Sequence, residues 1–315
     1  MSAVHVIKPG LLTTVQDQGR WGFQAFGVSV AGPMDPVSQR MANAMAGNPT
    51  DAATLEITLV GPELVFEDER RVAISGAQYE ITVGQQQFLS GGAFVVAAGA
   101  TLRFGRRVRG TRAYLAVAGG FDTPPVFRSR ATHLPSMMGG VAGRALIAGD
   151  SLPYGQAPRR APAAFVQPGT IGDAVPDGRA TLRVLPGPQA DRFSDDALEA
   201  LQSALYRVAP SSNRMGYSLN GPALKHTRGA DIISDATPLG ALQVPASGQP
   251  ILLMADRQTS GGYPKVATVI TADIGLAGQL GPGDAIAFAV CSRAEALAAL
   301  IGQEQRLMAM EAALR

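Results

Sequence analysis

A chain of 315 residues exceeds the ~100–200 of an average domain, which predicts two domains. Its 46% apolar content can bury a sizeable core and excludes disorder, while the near-even balance of 27 basic and 25 acidic residues, net +2, excludes binding to nucleic acid by phosphate neutralisation. The 37 Gly and 22 Pro, spread evenly along the chain, exclude a helix bundle and favour short strands joined by tight turns.

The chain opens on Met1 to His5 with no basic patch and no apolar stretch, so no signal peptide is expected. A strand is predicted over Val4 to Ile7. Thr14-Val15-Gln16-Asp17-Gln18-Gly19-Arg20 follows, where Asp17 and Arg20 read either as a turn-stabilising ion pair or as part of a site. Asp35 can cap a helix with Pro36 at its first position, Met41 and Met45 on one face and Gly47 closing it, and a site role is left open beside the cap.

Short β-type runs come next: Leu55 to Leu59, Val72 to Ile74, Tyr79 to Val83, Phe94 to Ala97 and Ala113 to Ala118. Glu56 alternates with Leu55 and Ile57 and reads as a solvent-facing strand residue, with a buried acid as the alternative. Arg103, Arg106, Arg107, Arg109 and Arg112 read as a solvated strand edge rather than an anion site. The longest uncharged stretch, Ile81 to Leu102, is interrupted by Gln85, Gln86, Gln87 and glycines and is no membrane span. A cytoplasmic protein is the expectation.

The Ala/Pro/Gly-rich stretch Gly155 to Gly178 is the candidate linker, dividing the chain into an N-terminal domain 1–160, a linker 161–178 and a C-terminal domain 179–315. Val6-Ile7-Lys8-Pro9-Gly10 resembles Phe165-Val166-Gln167-Pro168-Gly169, but no sustained period establishes a repeat. Ser194 caps a second helix, with Phe193 placed to staple onto Leu198 and an apolar stripe of Leu198, Leu201 and Leu205. Strands are predicted over Leu182 to Leu185, before that helix, and over Ile251 to Met254, Val266 to Ile270 and Ala285 to Val290 after it. Ser292 with Glu295 forms a capping box opening a terminal helix through Leu297, Leu300, Ile301 and Leu307. Helix is thus the minor element, and the class is mainly β: barrels or sandwiches.

The densest polar cluster is Asp256-Arg257-Gln258-Thr259-Ser260-Gly261-Gly262-Tyr263-Pro264-Lys265, set between two apolar strands. An acid, two cations, an amide, hydroxyls and a phenol beside paired glycines supply close backbone approach and directional donors, which a small-molecule pocket needs. Arg214, in Asn213-Arg214-Met215-Gly216-Tyr217, can bind a carboxylate in bidentate fashion. Only Cys291 and three histidines (His5, His133, His226) are present, which argues against a disulfide and against a Cys- or His-based metal site. There is no G-x-x-x-x-G-K-[ST], no G-x-S-x-G and no H-E-x-x-H.

Thr14 to Asp17 with Gly19-Arg20, Gly32-Pro33-Met34-Asp35, Ala42-Asn43 to Gly47-Asn48, Leu55-Glu56, Tyr114 to Phe121, Asn213 to Gly216, Gln243-Val244-Pro245 and the Asp256 to Lys265 loop together resemble the biotin-dependent carboxyltransferase-like family. The resemblance runs from about Val4 to Phe288. It departs at Ser234-Asp235-Ala236-Thr237, where the family usually has Ser-Glu-Gly, and at Phe127-Arg128-Ser129-Arg130, which replaces a Gly-Ser-Arg type segment. It implies two cyclophilin-like β-barrel subdomains with a few short helices and a C-terminal helix.

The resemblance further implies work in a cytoplasmic heteromeric complex, with a smaller paralogous B-type subunit and an A-type subunit. The activity expected first is ATP-dependent opening of 5-oxoproline to L-glutamate. Carboxyl transfer to urea or a related amide, and non-catalytic binding of a kinase-inhibitor partner, are the alternatives. No P-loop is present, so ATP is expected on the complex or a partner. None of Lys8, Lys225 and Lys265 lies between methionines, so biotin, if used, arrives on another protein. By position in the matched motifs, Asp256, Tyr263 and Lys265 are the expected catalytic residues. Arg214, Gln243, Gln258, Thr259, Gly261, Gly262, Gln16, Asp17 and Asp35 are the expected substrate-binding residues, with no metal site, no nucleic-acid partner and no membrane partner.

Overall fold

In the computed structural model, which describes residues 2–157 and 176–314, the chain is mainly β and its contacts fall into two units. The first draws on Met1–Arg20, Ala31–Val175 and Arg306–Arg315 as far as these are described; the second on Trp21–Val30 and Pro176–Gln305. The linker expected at 161–178 lies outside the described residues up to 175.

The first unit contains β1 (Ala3–Lys8), β2 (Leu12–Gln16), α1 (Pro36–Ala46), β3 (Thr54–Thr58), β4 (Glu63–Phe66), β5 (Arg70–Val83), β6 (Gln86–Leu89), β7 (Gly92–Val96), β8 (Thr101–Val117) and β9 (Ser151–Pro153). They form one nine-stranded sheet with the order β2-β3-β8-β4-β1-β9, onto which β5 pairs through β8 and carries β6 and β7. Val4, Leu55, Ile57, Phe66, Val72, Ile74, Leu102, Leu115 and Val117 fill its core. A second cluster joins Met41 and Met45 of α1 to Tyr114, Leu307 and Leu314. As the sequence predicts, Asp35 caps α1, accepting from the Ser38 amide at 3.1 Å, and Gly47 ends it with φ 82°.

Three readings of this unit change. The runs Val72 to Ile74 and Tyr79 to Val83 are one strand, β5, whose pairing with β8 shifts register after Gly76 (φ 88°); the glycine makes a bulge rather than a turn. The arginine run lies on β8, which pairs with three strands and is no sheet edge, although Arg103, Arg106 and Arg107 are exposed. The same register shifts break the alternation, so that consecutive residues 105–108 all face solvent, while Arg112 is buried. Glu56 is buried, because it lies opposite Tyr114 on the sheet face that α1 covers, while Leu55 and Ile57 point into the core on the other face. At the departure noted above, Phe127 and Arg128 take φ of 50° and 62°, a left-handed turn that glycine would adopt without strain.

The second unit contains β10 (Arg179–Pro186), α2 (Asp195–Ser203), β11 (Tyr206–Val208), β12 (Gly216–Asn220), β13 (Asp235–Ala236), β14 (Ala241–Gln243), β15 (Ile251–Leu253), β16 (Ser260–Gly261), β17 (Lys265–Val269), α3 (Ile274–Gly278) and β18 (Ala285–Val290). Seven of these strands close a barrel in the order β10-β17-β14-β15-β12-β11-β18, while β13 and β16 make a separate two-stranded ribbon. The β10–β18 pair is parallel and the other barrel pairs antiparallel. Closure leaves no barrel edge unpaired. Leu182, Val184, Tyr206, Leu219, Leu252 and Phe288 are buried in it, with Tyr206 and Phe288 rings 5.8 Å apart. Ser194 caps α2, but Leu205 falls beyond the helix and is exposed, and Phe193 packs on the His226 ring at 4.9 Å. The capping box forms as expected: Ser292 donates its amide to Glu295 at 2.7 Å and accepts the Glu295 amide at 3.2 Å, opening α4 (Arg293–Leu314). Of the predicted apolar positions on α4, Leu307 is buried whereas Leu297 and Ile301 are exposed.

Candidate functional site

Within the second unit lies a cavity of about 290 Å³, near the lower end of the ~300–1,000 Å³ usual for ligand pockets. Its walls come from the turn before β12 (Ser211, Asn213, Met215), from β12 (Gly216, Ser218), from β14 and β15 (Gln243, Ile251, Leu253) and from the loop carrying Gln258, Gly261, Gly262 and Tyr263. Period-two geometry explains the strand contribution. In the β12–β15 register Gly216 faces Leu253 and Ser218 faces Ile251. The intervening Tyr217 and Leu252 are buried. None of the described lining residues carries a formal charge.

Two amides organise the loop side. Gln258 donates to Gln243 Oε1 at 3.1 Å, and Gln243, 2% exposed, reaches the Tyr263 carbonyl at 3.5 Å. Both lie against Gly261, where a Cβ would stand 2.7 Å from Gln243 Nε2 and 3.2 Å from Gln258 Nε2. Glycine at 261 is therefore favoured by close approach of the two amides, not by backbone angle. Tyr263 is 41% exposed and stands at the rim.

Around the pocket the loop is held by polar contacts that leave several expected residues occupied. Arg214 and Asp256 form a buried bidentate pair, Nε to Oδ2 and Nη2 to Oδ1, both at 3.0 Å. This pair ties the root of the loop to the turn that supplies Asn213 and Met215, a tie repeated by the Asp256 amide on the Arg214 carbonyl at 2.8 Å. Neither side chain lines the cavity. The carboxylate that Arg214 holds is thus Asp256. Arg257 is also buried, donates to the Thr237 carbonyl at 2.9 Å, and burial pushes its guanidinium down to about 10. Thr259 contributes its carbonyl to the Thr237 amide at 3.1 Å, and Thr237 Oγ1 donates to the Gln258 carbonyl. Lys265 is buried off the lining and donates to Asp235 Oδ2 at 2.8 Å.

The other expected residues lie in the first unit. Asp17 accepts from the Gly19 amide at 2.9 Å and from Ser129 Oγ at 2.5 Å, acting as a loop clamp. Gln16 is buried and donates to Thr14 Oγ1 and to the Thr132 carbonyl. Asp35 is the cap of α1 and receives Ser38 Oγ at 2.5 Å. Beside it Glu56 accepts from Tyr114 Oη at 2.7 Å and from the Met34 amide at 2.8 Å, while Tyr114 Oη accepts from the Asp35 amide. Burial and the Glu56 charge raise the Tyr114 phenol well above its ordinary range, keeping it a donor.

Of the expected residues, Gln243, Gln258, Gly261, Gly262 and Tyr263 share the pocket. Ser211, Asn213, Met215, Gly216, Ser218, Ile251 and Leu253 line it with no role expected of them from sequence. Asn213 and Met215 stand beside Arg214 in a quoted motif; the alternation around Tyr217 and Leu252 is the signal that could have placed Ser218, Ile251 and Leu253.

The carboxyltransferase domain, subdomain A and B, family matches residues 26–290. The chain belongs to this family. It is 39% identical over 302 residues to the C-type subunit of the 5-oxoprolinase of Escherichia coli, covering 96% of each chain, and 35% identical to that of Haemophilus influenzae, covering 90% and 89%. Among solved structures it is similar to the Kluyveromyces lactis urea amidolyase, with TM-score 0.88 and 32% identity over 98% of this chain and 20% of that one. The chain thus spans about a fifth of that larger protein. This likeness agrees with the two cyclophilin-like β-barrel subdomains expected; the strands of the second close into a barrel, and those of the first form a nine-stranded sheet.

Proposed function

We propose that this chain is a component of an ATP-dependent 5-oxoprolinase, and that its second-unit pocket holds the lactam. The observation that carries this reading is its near full-length match to the C-type components of bacterial 5-oxoprolinases. An uncharged, amide-lined pocket of modest volume supports it: side-chain amides and backbone N–H groups of the kind at Gln243, Gln258, Gly261 and Gly262 complement a lactam N–H and C=O.

In the reaction, water adds to the lactam carbonyl, the ring C–N bond breaks, and the departing nitrogen takes a proton to give glutamate. Gln258 retains a second amide N–H, beyond the one given to Gln243, for the carbonyl oxygen. Tyr263, at the rim, is the lining residue able to give the nitrogen a proton. Asp256 and Arg214 frame the site by holding the loop root. A pocket with no cation among its described lining residues does not fit a triphosphate, so ATP is assigned to an A- or B-type partner.

The test is reconstitution with the partner subunits, following glutamate and ADP from 5-oxoproline and ATP. Tyr263→Phe and Gln258→Ala should each lower kcat/KM by about 10²-fold; full activity in both removes the pocket from the reaction. Carboxyl transfer is the second reading, supported by the likeness to urea amidolyase. Urea-dependent consumption of carboxybiotin, without glutamate formation, would establish it instead.

A further inference from the structure

5-Oxoproline carries a carboxylate, yet among the described residues no cation lines the pocket. The buried ammonium of Lys265, two residues beyond Tyr263, is 1% exposed, and a buried ammonium needs an anionic or polar partner. Its partner is Asp235 Oδ2 at 2.8 Å, on a side chain 50% exposed. Asp235 lies on β13, directly across from Gly261 of the pocket wall, and Ala236 lies across from Ser260. The strap leading to it faces solvent, with residues 227–229 and 233–236 exposed and Ile233 94% exposed, and is tied back by the Thr227 amide on the Arg192 carbonyl at 2.7 Å and by Arg192 Nη1 on the Asp231 carbonyl at 3.1 Å. The Ile232 amide donates to the Gly262 carbonyl at 2.8 Å, joining the strap to the pocket wall. The hydrogen bond from Lys265 holds the Asp235 carboxyl below its usual range, keeping it an anion.

Resting on the lactam reading, we infer that Asp235 is a built-in stand-in for the substrate carboxylate: it occupies the anion position on Lys265 and is displaced when a carboxylate-bearing ligand enters, releasing the 228–236 strap. The exchange is one carboxylate for another at a single ammonium, so no charge is left uncompensated in the buried site. Asp235 is thus a specificity-determining residue. It selects for ligands whose anion outcompetes it and leaves neutral lactams unaffected.

The test compares 5-oxoproline with 2-pyrrolidinone, the same lactam without the carboxylate, on the wild-type chain and on Asp235→Asn. Displacing a half-exposed ion pair sets the scale at about two- to fivefold. Asp235→Asn should bind 5-oxoproline that much more tightly by calorimetry, with 2-pyrrolidinone unchanged. In the wild type, 5-oxoproline but not 2-pyrrolidinone should speed tryptic cleavage after the exposed Arg228 at the strap's start, and Asp235→Asn should be cleaved fast without ligand. Equal effects of both lactams, unaltered affinity in the variant, or no carboxylate binding at all overturns the inference. These readouts need no turnover: a carboxylate-specific response in a complex that forms no glutamate would leave the stand-in role and refute the lactamase reading.

Discussion

Replacing Gly261 by alanine probes the pocket at the point where its walls are closest. The backbone there is not in the left-handed region, so the substitution acts only through the added methyl, which would lie 2.7 Å from Gln243 Nε2, 3.2 Å from Gln258 Nε2 and 3.3 Å from Thr237 Cγ2. Gln243 is buried and bonded to Gln258 at 3.1 Å, so making room for the methyl displaces both amides of the pair. Overpacking of this kind costs about 1–3 kcal/mol, equivalent to a fall of about 3–9 °C in Tm. If the pocket holds the lactam as proposed, the same methyl pushes both amides out of register with it, so KM should rise at least tenfold. Gly262→Ala is the internal control: its Cβ would meet the Ile232 carbonyl oxygen at 3.4 Å and Ser234 Oγ at 3.8 Å, ordinary contact distances. Scanning calorimetry and steady-state kinetics of the two variants in the reconstituted complex decide the matter. Equal behaviour of Gly261→Ala and Gly262→Ala, or a Gly261→Ala enzyme with wild-type KM, would refute the close-approach argument.

Asp256→Ala should lose about 3–5 kcal/mol of stability by leaving Arg214 buried beside no carboxylate, and Arg214→Met with Asp256→Leu together should recover much of it; thermal melts check both. Tyr114→Phe removes the hydroxyl that accepts from the Asp35 amide and one of the two donors to Glu56 Oε2, the Met34 amide remaining, and should cost about 1–3 kcal/mol in urea unfolding. The Arg144 pair, at 2.8 Å on both oxygens, pulls the Asp150 carboxyl below its usual range. A depressed carboxylate stabilises the fold above its unfolded value and loses that contribution as pH falls through the folded one. Arg144→Met should therefore reduce stability at neutral pH and flatten its decline below about pH 4; a parallel acid limb in both proteins would refute this.

Local chemistry made much of the molecule legible from its residues alone. Asp35 with Pro36 and Gly47, and Ser292 with Glu295, specify helix ends through bonds between near neighbours, so the caps read correctly without knowledge of the fold. The Gln258, Gly261, Gly262 and Tyr263 loop was equally visible, because glycine pairs and clustered donors between apolar strands are a sequence pattern. Pairing between distant strands decided the rest. Register shifts against β8 made one bulged strand of β5 where Gly76 reads as a break, and covering β3 on both sides buried Glu56. The β12–β15 register alone turned Ser218 and Ile251 toward the pocket. Charge partners were likewise a tertiary matter: Arg214 reads as a receptor for a ligand's carboxylate until the fold delivers Asp256, 42 residues away, to within 3.0 Å. Composition and spacing determine which groups a chain can offer. Only the closed barrel determines which of them are already spent on one another, because buried charges must be paired before any remains for a ligand.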